Sequence, residues 1–299
     1  MSRYVLPEHA REKARNAIVL TGIARSGTSI LGKVIHSFKD VEFAYEPPVL
    51  VSLFATIGEL SEYQWKFLYE TYLYEDLLIN SLAGRSVNCN RADDSSIYLA
   101  KPRALVESRL ARSLRKADAE ALGRKAQLAY KIPQLGPFLG RFRRYYPRTP
   151  IVITTRGAVE VFNSISEKKW FTDESLGPSC PIWPCRIHGN LRVPFWVAEG
   201  DADAWCRMDE LHRTAYYYIR VSESQQTVKD AIVVRYSDLI GAPERVTRQL
   251  AENLGLEWGE MTPAIVSNVG HTEKIRDSNI LERLDRATRD KVLHYSNLS

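Results

Sequence analysis

The stretch AIVLTGIARSGTSILGKVIHSF, residues 17–38, constrains the fold more than any other part of the chain. Four apolar residues, Ala17 to Leu20, lead into a small polar loop, Gly22 to Ser29. Ile30, Leu31, Val34 and Ile35 then recur at helical spacing. A glycine-bearing loop between a strand and a helix N-terminus is a cradle for an oxyanion, because backbone N–H groups point into it and the helix dipole favours negative charge there. The frame Gly22-x4-Gly27-Thr28-Ser29 departs at one position from the phosphate-loop pattern G-x-x-x-x-G-K-[ST]. Thr28 stands where the lysine belongs, so the loop lacks the point charge that reaches the β- and γ-phosphates of a nucleoside triphosphate. Arg25 instead supplies a forked cation, suited to an oxyanion held by two hydrogen bonds.

Four further apolar runs read as buried strands: Val41–Ala44, Leu128–Ile132, Ile151–Thr154 and Ala231–Val234. Helical patterns separate them at 49–82 (ending near Gly84), 102–126, 134–146, 157–169 and 243–254, the last with Gly255 as its expected cap. Strands alternating with helices predict an α/β fold with a central parallel sheet and flanking helices. The 299 residues carry no repeat and no low-complexity linker, which predicts one domain over 1–299. Residues 170–206 stand apart, with Trp170, Trp183, Trp196 and Trp205, several prolines and three cysteines. Two readings stay open for them: an acceptor-side lid, or a loop that packs its aromatics onto the body.

A net charge of +5 favours anionic ligands without implying nucleic acid. The arginines of 102–125 are interleaved with Glu107, Asp118 and Glu120, as on solvated helix faces, which makes a polyanion-binding role through them and the arginines of 141–148 the weaker alternative. Of the four cysteines, Cys180 and Cys185 form a C-x4-C. Without a second ligand pair they read as free thiols, and no metal is expected. The charged start and the lack of any run of about 20 apolar residues lead to the expectation of a cytoplasmic chain without a membrane span.

Two more segments matter. In PIVITTRGAVEVFNSIS, a strand delivers Arg156 at its C-terminal end, and Ser164 follows two helical turns later. In AIVVRYSDLIGAPERVTRQLAENLGLEW, Tyr236 and Asp238 end a strand before an amphipathic helix. Together with GIARSGTS, these segments resemble the sulfotransferase superfamily that uses 3′-phosphoadenosine 5′-phosphosulfate, over about residues 17–260. The three motifs correspond to its 5′-phosphosulfate loop, its 3′-phosphate motif and its C-terminal signature.

The resemblance implies a P-loop nucleotide-hydrolase-like three-layer fold, that sulfate donor as co-substrate, and a hydroxylated acceptor: a small molecule, a glycan or a tyrosine. It also implies roles. Arg25, Ser26, Gly27, Thr28 and Ser29 would hold the 5′-phosphosulfate. Arg156 and Ser164 would hold the 3′-phosphate, and Tyr236 the adenine. Lys131, in YKIPQL, matches the family's lysine that neutralises charge on the transferring group. Pro133 occupies the place of the histidine base used by the cytosolic aryl and steroid enzymes. The spacing is nearer to the tyrosylprotein and carbohydrate enzymes, which use a glutamate; Glu46, twenty-one residues after Arg25, is the candidate base. His36 is a rival, expected to be structural or solvent-exposed. The R-K-G triplet of cytosolic members is missing. Lys274, in SNVGHTEKIRDSN, is the expected second contact to the 3′-phosphate, with Ser267 and Arg276 nearby. A nucleotide kinase is the main alternative function, and a homodimer is left open.

Overall fold

The computed structural model describes residues 4–112, 114–178, 180, 182, 184–270 and 277–297. Its centre is a five-stranded sheet of β1 (Ile18–Gly22), β2 (Val41–Tyr45), β3 (Gln127–Lys131), β4 (Ile151–Thr155) and β7 (Ile232–Arg235). Every pairing in it is parallel, and the order is β2-β3-β1-β4-β7. A separate antiparallel hairpin joins β5 (Cys185–His188) to β6 (Leu191–Pro194).

The apolar runs are unbroken because both faces of the sheet are covered. Alternate residues serve opposite layers. Val19, Leu128, Tyr130, Ile151 and Ile153 pack with Leu50, Phe54, Trp65, Tyr69 and Phe142 on one side. Ile18, Leu20, Ala129, Val152 and Val234 pack on the other side with Leu31, Val34 and Ile35 of α1 (Thr28–Ser37), and with Leu250 and Ala251. The helix α2 (Ala158–Glu167) follows β4, α3 (Glu210–Gln225) packs against it, and α4 (Pro243–Leu254) ends at Gly255 in the left-handed conformation, as its sequence predicts. β1 lies between β3 and β4, so the C-terminal ends of three strands open onto one crevice at a switch in strand order.

Several helical segments are divided more finely than their periodicity predicts. Residues 49–82 break after Ala55, and a new helix, Glu62–Thr71, starts at a reciprocal cap between Ser61 and Gln64. It passes into a π-helical stretch, Tyr72–Ile79, and the chain leaves it at Gly84. The 102–126 segment divides into Arg103–Ala111 and Lys116–Gly123. In 134–146, Pro133 and Pro137 cannot donate backbone hydrogen bonds, and the first part is a 3₁₀ turn, Pro133–Phe138.

Residues 170–206 pack aromatics onto the body. Phe171, Trp196 and Trp205 are buried against Tyr217 of α3, with Trp196 and Tyr217 ring centroids 4.8 Å apart. Arg213, fully buried, ties the segment down through the carbonyls of Phe171, Trp205 and Cys206 and the carboxylate of Asp173. No helix among the described residues is long and apolar enough to cross a membrane.

Candidate active site

The turn after β1 is held from several directions. The Ala24 amide donates to Tyr217 Oη at 2.9 Å. Ser26 turns its hydroxyl inward, donating to the Ile23 carbonyl at 2.5 Å and lying 2.6 Å from Thr154 Oγ1. Its amide is also spent on Ile23, so Ser26 shapes the loop rather than lining its mouth. Gly27 sits at φ +90°, where a side chain is strained, and an added Cβ would come within 2.5 Å of the Tyr236 ring. Helix α1 then begins at Thr28 with no side chain capping it. Its leading N–H groups therefore face the crevice as an anion site.

On one side of this turn lie Lys131 and Glu46. Lys131 ends β3 with its side chain 5% exposed. Its Nζ is 2.7 Å from Glu46 Oε1, donates to Ser29 Oγ at 2.8 Å, and lies 5.7 Å from the centre of the Tyr45 ring. Glu46 continues the β2–β3 ladder by donating its amide to the Lys131 carbonyl at 2.9 Å, then turns at φ +48° into Pro47. Its carboxylate is 45% exposed, open to an incoming hydroxyl.

On the other side, Arg25, Arg156, Ser164 and Tyr236 converge. Arg25, itself at φ +71°, donates Nε to Ser164 Oγ at 2.8 Å and lies 6.0 Å from the Trp170 ring. Arg156 donates Nη1 to the Arg25 carbonyl at 2.9 Å, and its guanidinium covers the Tyr236 ring at 4.3 Å. Ser164 is buried on α2. The sequence expected Arg25 in the phosphosulfate loop; its guanidinium reaches across to the Arg156–Ser164 side. A left-handed backbone in a residue other than glycine costs about 1–3 kcal/mol. Among the described residues four such positions occur, and two of them are Arg25 and Glu46. Strain concentrated at two proposed site residues is the mark of a pre-organised site.

The ten described candidate residues therefore gather at the turn after β1, with Ser26 facing into the loop. Lys274 and Arg276 lie outside the described residues, and Ser267 ends a short helix with its hydroxyl on the Ala264 carbonyl. Tyr45 and Tyr217 were not singled out from the sequence, and Trp170 was marked only as one of the aromatics of 170–206. Their contacts join residues distant in the chain, and no local pattern announces them.

His36 is not solvent-exposed. It is buried at the end of α1 beside the rings of Phe43 and Tyr45. Burial pulls its pKa down to about 3; Lys101 and Arg109 push the same way, against Glu42. It is therefore neutral and is not a base for the Lys131 site. The basic segment 102–126 also hides one charge. Arg109 is buried and binds Glu42 of β2 through both carboxylate oxygens, at 2.7 and 3.0 Å. Burial raises the Glu42 pKa, and the hydrogen bonds and charge of Arg109 outweigh that and hold it below the usual range. Cys180 and Cys185 are free thiols with sulfurs 3.9 Å apart, and burial with the Cys180 neighbour pushes Cys185 up to about 12. Among the described residues no three His, Cys, Asp or Glu side chains gather as a metal site.

No protein-family model and no curated protein matches the sequence. Solved structures that resemble the chain include a sulfotransferase domain from the curacin biosynthetic pathway, with TM-score 0.49 and 14% identity over 99% of this chain and 98% of that one. A sulfotransferase of Alicyclobacillus acidocaldarius gives 0.43 and 14% over 94% of each chain. One of Mycobacterium tuberculosis H37Rv gives 0.42 and 14% over 96% of this chain and 79% of that one.

Proposed function

We propose that this chain moves a sulfuryl group from 3′-phosphoadenosine 5′-phosphosulfate to an acceptor hydroxyl. One observation carries the reading: the turn after β1 has a lysine–glutamate pair on one side and an arginine–serine–tyrosine cluster on the other. The cluster fits a nucleotide that carries a second phosphate on its ribose, with Arg156 and Ser164 as the phosphate ligands and Tyr236 beside the base. The pair fits transfer of a charged group to a hydroxyl. With Thr28 in place of the loop lysine, a nucleoside triphosphate is the poorer fit.

Sulfuryl transfer resembles phosphoryl transfer in that positioning and electrostatics carry most of the catalysis. Glu46 accepts the proton of the acceptor hydroxyl as that oxygen attacks sulfur. Lys131 and the N-terminal amides of α1 stabilise the negative charge that develops on the oxygen bridging sulfur and the leaving phosphate. Arg25 adds positive charge to the same field from the Arg156–Ser164 side. A lid role for 170–206 belongs to this reading through Trp170, which flanks Arg25.

The test is transfer of labelled sulfate from the donor to a panel of hydroxylated acceptors. Glu46→Gln is expected to lower turnover by about 10²–10⁴-fold, the usual worth of a general base, with affinity for adenosine 3′,5′-bisphosphate unchanged. Turnover within about threefold of the wild type contradicts the assignment.

A further inference from the structure

The two ligands proposed for the second phosphate are set by α2. Arg156 and Gly157 lead into its first residue, Ala158, and Ser164 lies on the helix itself. α2 has no capping side chain of its own, because its N-cap is Gly157. A distant helix supplies one. The Ala158 amide donates to Ser296 Oγ at 3.0 Å, which satisfies one of the N–H groups that a helix leaves open at its start. Ser296 belongs to α5 (Arg286–Asn297).

A second tie lies beside Ser164. Asn163 donates Nδ2 to the Asp277 carbonyl at 2.9 Å, and its Oδ1 accepts the Asp277 amide at 2.9 Å. The same Nδ2 donates to the Val159 carbonyl at 2.8 Å. Asp277 is itself held: its carboxylate accepts from the Asn279 amide and from Arg283 Nη2, each at 3.0 Å. Between the two ties, Ile280, Leu281, Leu284 and Val292 join the buried cluster that contains Val161, Phe162 and Ile165 of α2. Apolar packing is non-directional and resists a small rotation of a helix only weakly. Hydrogen bonds weaken steeply when they are bent, so the two ties fix where α2 begins and how it is turned. α5 is bound in turn to α3: Lys291 Nζ lies 3.0 Å from Glu223 Oε1. From α3, Tyr218 donates its hydroxyl to the Arg156 carbonyl at 3.3 Å.

We propose that Asn163 and Ser296 are positioning residues for the second phosphate. They act through Arg156 and Ser164 rather than by contact with the nucleotide. One tie lies at the start of α2, just after Arg156, and the other lies next to Ser164. Together they hold the spacing between the Arg156 guanidinium and the Ser164 hydroxyl, so that both reach one phosphate. The inference rests on the reading of Arg156 and Ser164 as the phosphate ligands. Residues 277–297 are then part of the frame of the donor site.

The test is calorimetry of adenosine 3′,5′-bisphosphate and adenosine 5′-phosphate on the wild type, Ser296→Ala, Ser296→Thr and Asn163→Ala. The ratio of the two affinities isolates the second phosphate. It is expected to fall by about fivefold in Ser296→Ala, the scale of one neutral hydrogen bond. In Asn163→Ala, which loses two bonds to Asp277, it should fall by at least as much. Affinity for the 5′-phosphate stays unchanged, and Ser296→Thr, which keeps the hydroxyl, retains the wild-type ratio. Ser296 is half-buried, so its truncation gives a folded protein whatever Asn163→Ala does. Three results overturn the proposal: an unchanged ratio in Ser296→Ala, a matching loss for both nucleotides, or a ratio in Ser296→Thr as low as in Ser296→Ala. A wild type that binds the two nucleotides alike overturns the phosphate reading, and this role with it. A wild-type preference that both truncations leave intact removes the positioning role alone.

Discussion

Gly27→Ala is a sharp probe of the turn. The residue sits at φ +90°, and the added Cβ would lie 2.5 Å from Cδ2 of Tyr236. Left-handed backbone in an alanine costs about 1–2 kcal/mol, a term that falls on stability. Tyr236 must also move by about 1 Å to reach ordinary van der Waals contact. That shift uncovers the Arg156 guanidinium, which now lies 4.3 Å over the ring. A cation over an aromatic face is worth about 0.5–2 kcal/mol, so affinity for adenosine 3′,5′-bisphosphate should fall by about 2- to 30-fold. Removing the ring separates the two terms. In a Tyr236→Ala background Gly27→Ala keeps its backbone strain but has nothing to displace, so its effect on affinity should largely vanish. The assay is a double-mutant cycle of calorimetric affinities and unfolding free energies, with an expected coupling of about 1 kcal/mol in affinity. Effects that add within about 0.3 kcal/mol would refute the reasoning, because they would mean that the ring and the glycine do not meet.

Three other outcomes follow from buried charge. The native state holds His36 neutral down to about pH 3, whereas the unfolded chain protonates it near 6.5. The unfolded state therefore binds the extra proton between those values, and stability present above about pH 6.5 is lost as pH falls, by about 1.4 kcal/mol per unit. Urea unfolding of the wild type and His36→Phe at pH 7.5 and 5 should show the steeper loss in the wild type; parallel losses contradict it. Arg109→Ala leaves the Glu42 carboxylate buried without its partner and should cost about 3–5 kcal/mol in the same assay; a loss below 1 kcal/mol contradicts the pair. Lys131→Met removes the ammonium 2.7 Å from Glu46, and single-turnover sulfuryl transfer should slow by at least about 10²-fold. An unchanged rate would take Lys131 out of the reaction.

How much of this was legible in the chain differs by element. The parallel strands announced themselves because β1 and β4 are buried along their whole length and have no exposed position to interrupt the run. The 185–194 hairpin did not, since Arg186 and Ile187 of β5 are exposed and carry no alternation. The helix break before Glu62 had a readable sign, the Ser61-x-x-Gln64 cap, which the surrounding apolar periodicity masks. At the site, residue types and order pointed to Arg156, Ser164 and Lys131. The left-handed backbone at Arg25 and Glu46 had no sign, because neither residue is of a type that favours it. Nor did the Tyr217 bond to Ala24, which spans 193 residues. The burial of His36 depends on Phe43 and Tyr45 arriving from β2, information that α1 alone does not hold.

The proposed sulfate donor requires a second phosphate beside Arg156. The most direct measurement is calorimetry of adenosine 3′,5′-bisphosphate against adenosine 5′-phosphate and ATP, on the wild type and Arg156→Ala. A charged hydrogen bond is worth about 1.5–3 kcal/mol, so the bisphosphate should bind the wild type at least tenfold more tightly than either competitor. Arg156→Ala should erase most of that margin. Equal affinity for the two adenosine phosphates, or tighter binding of ATP, contradicts the central claim.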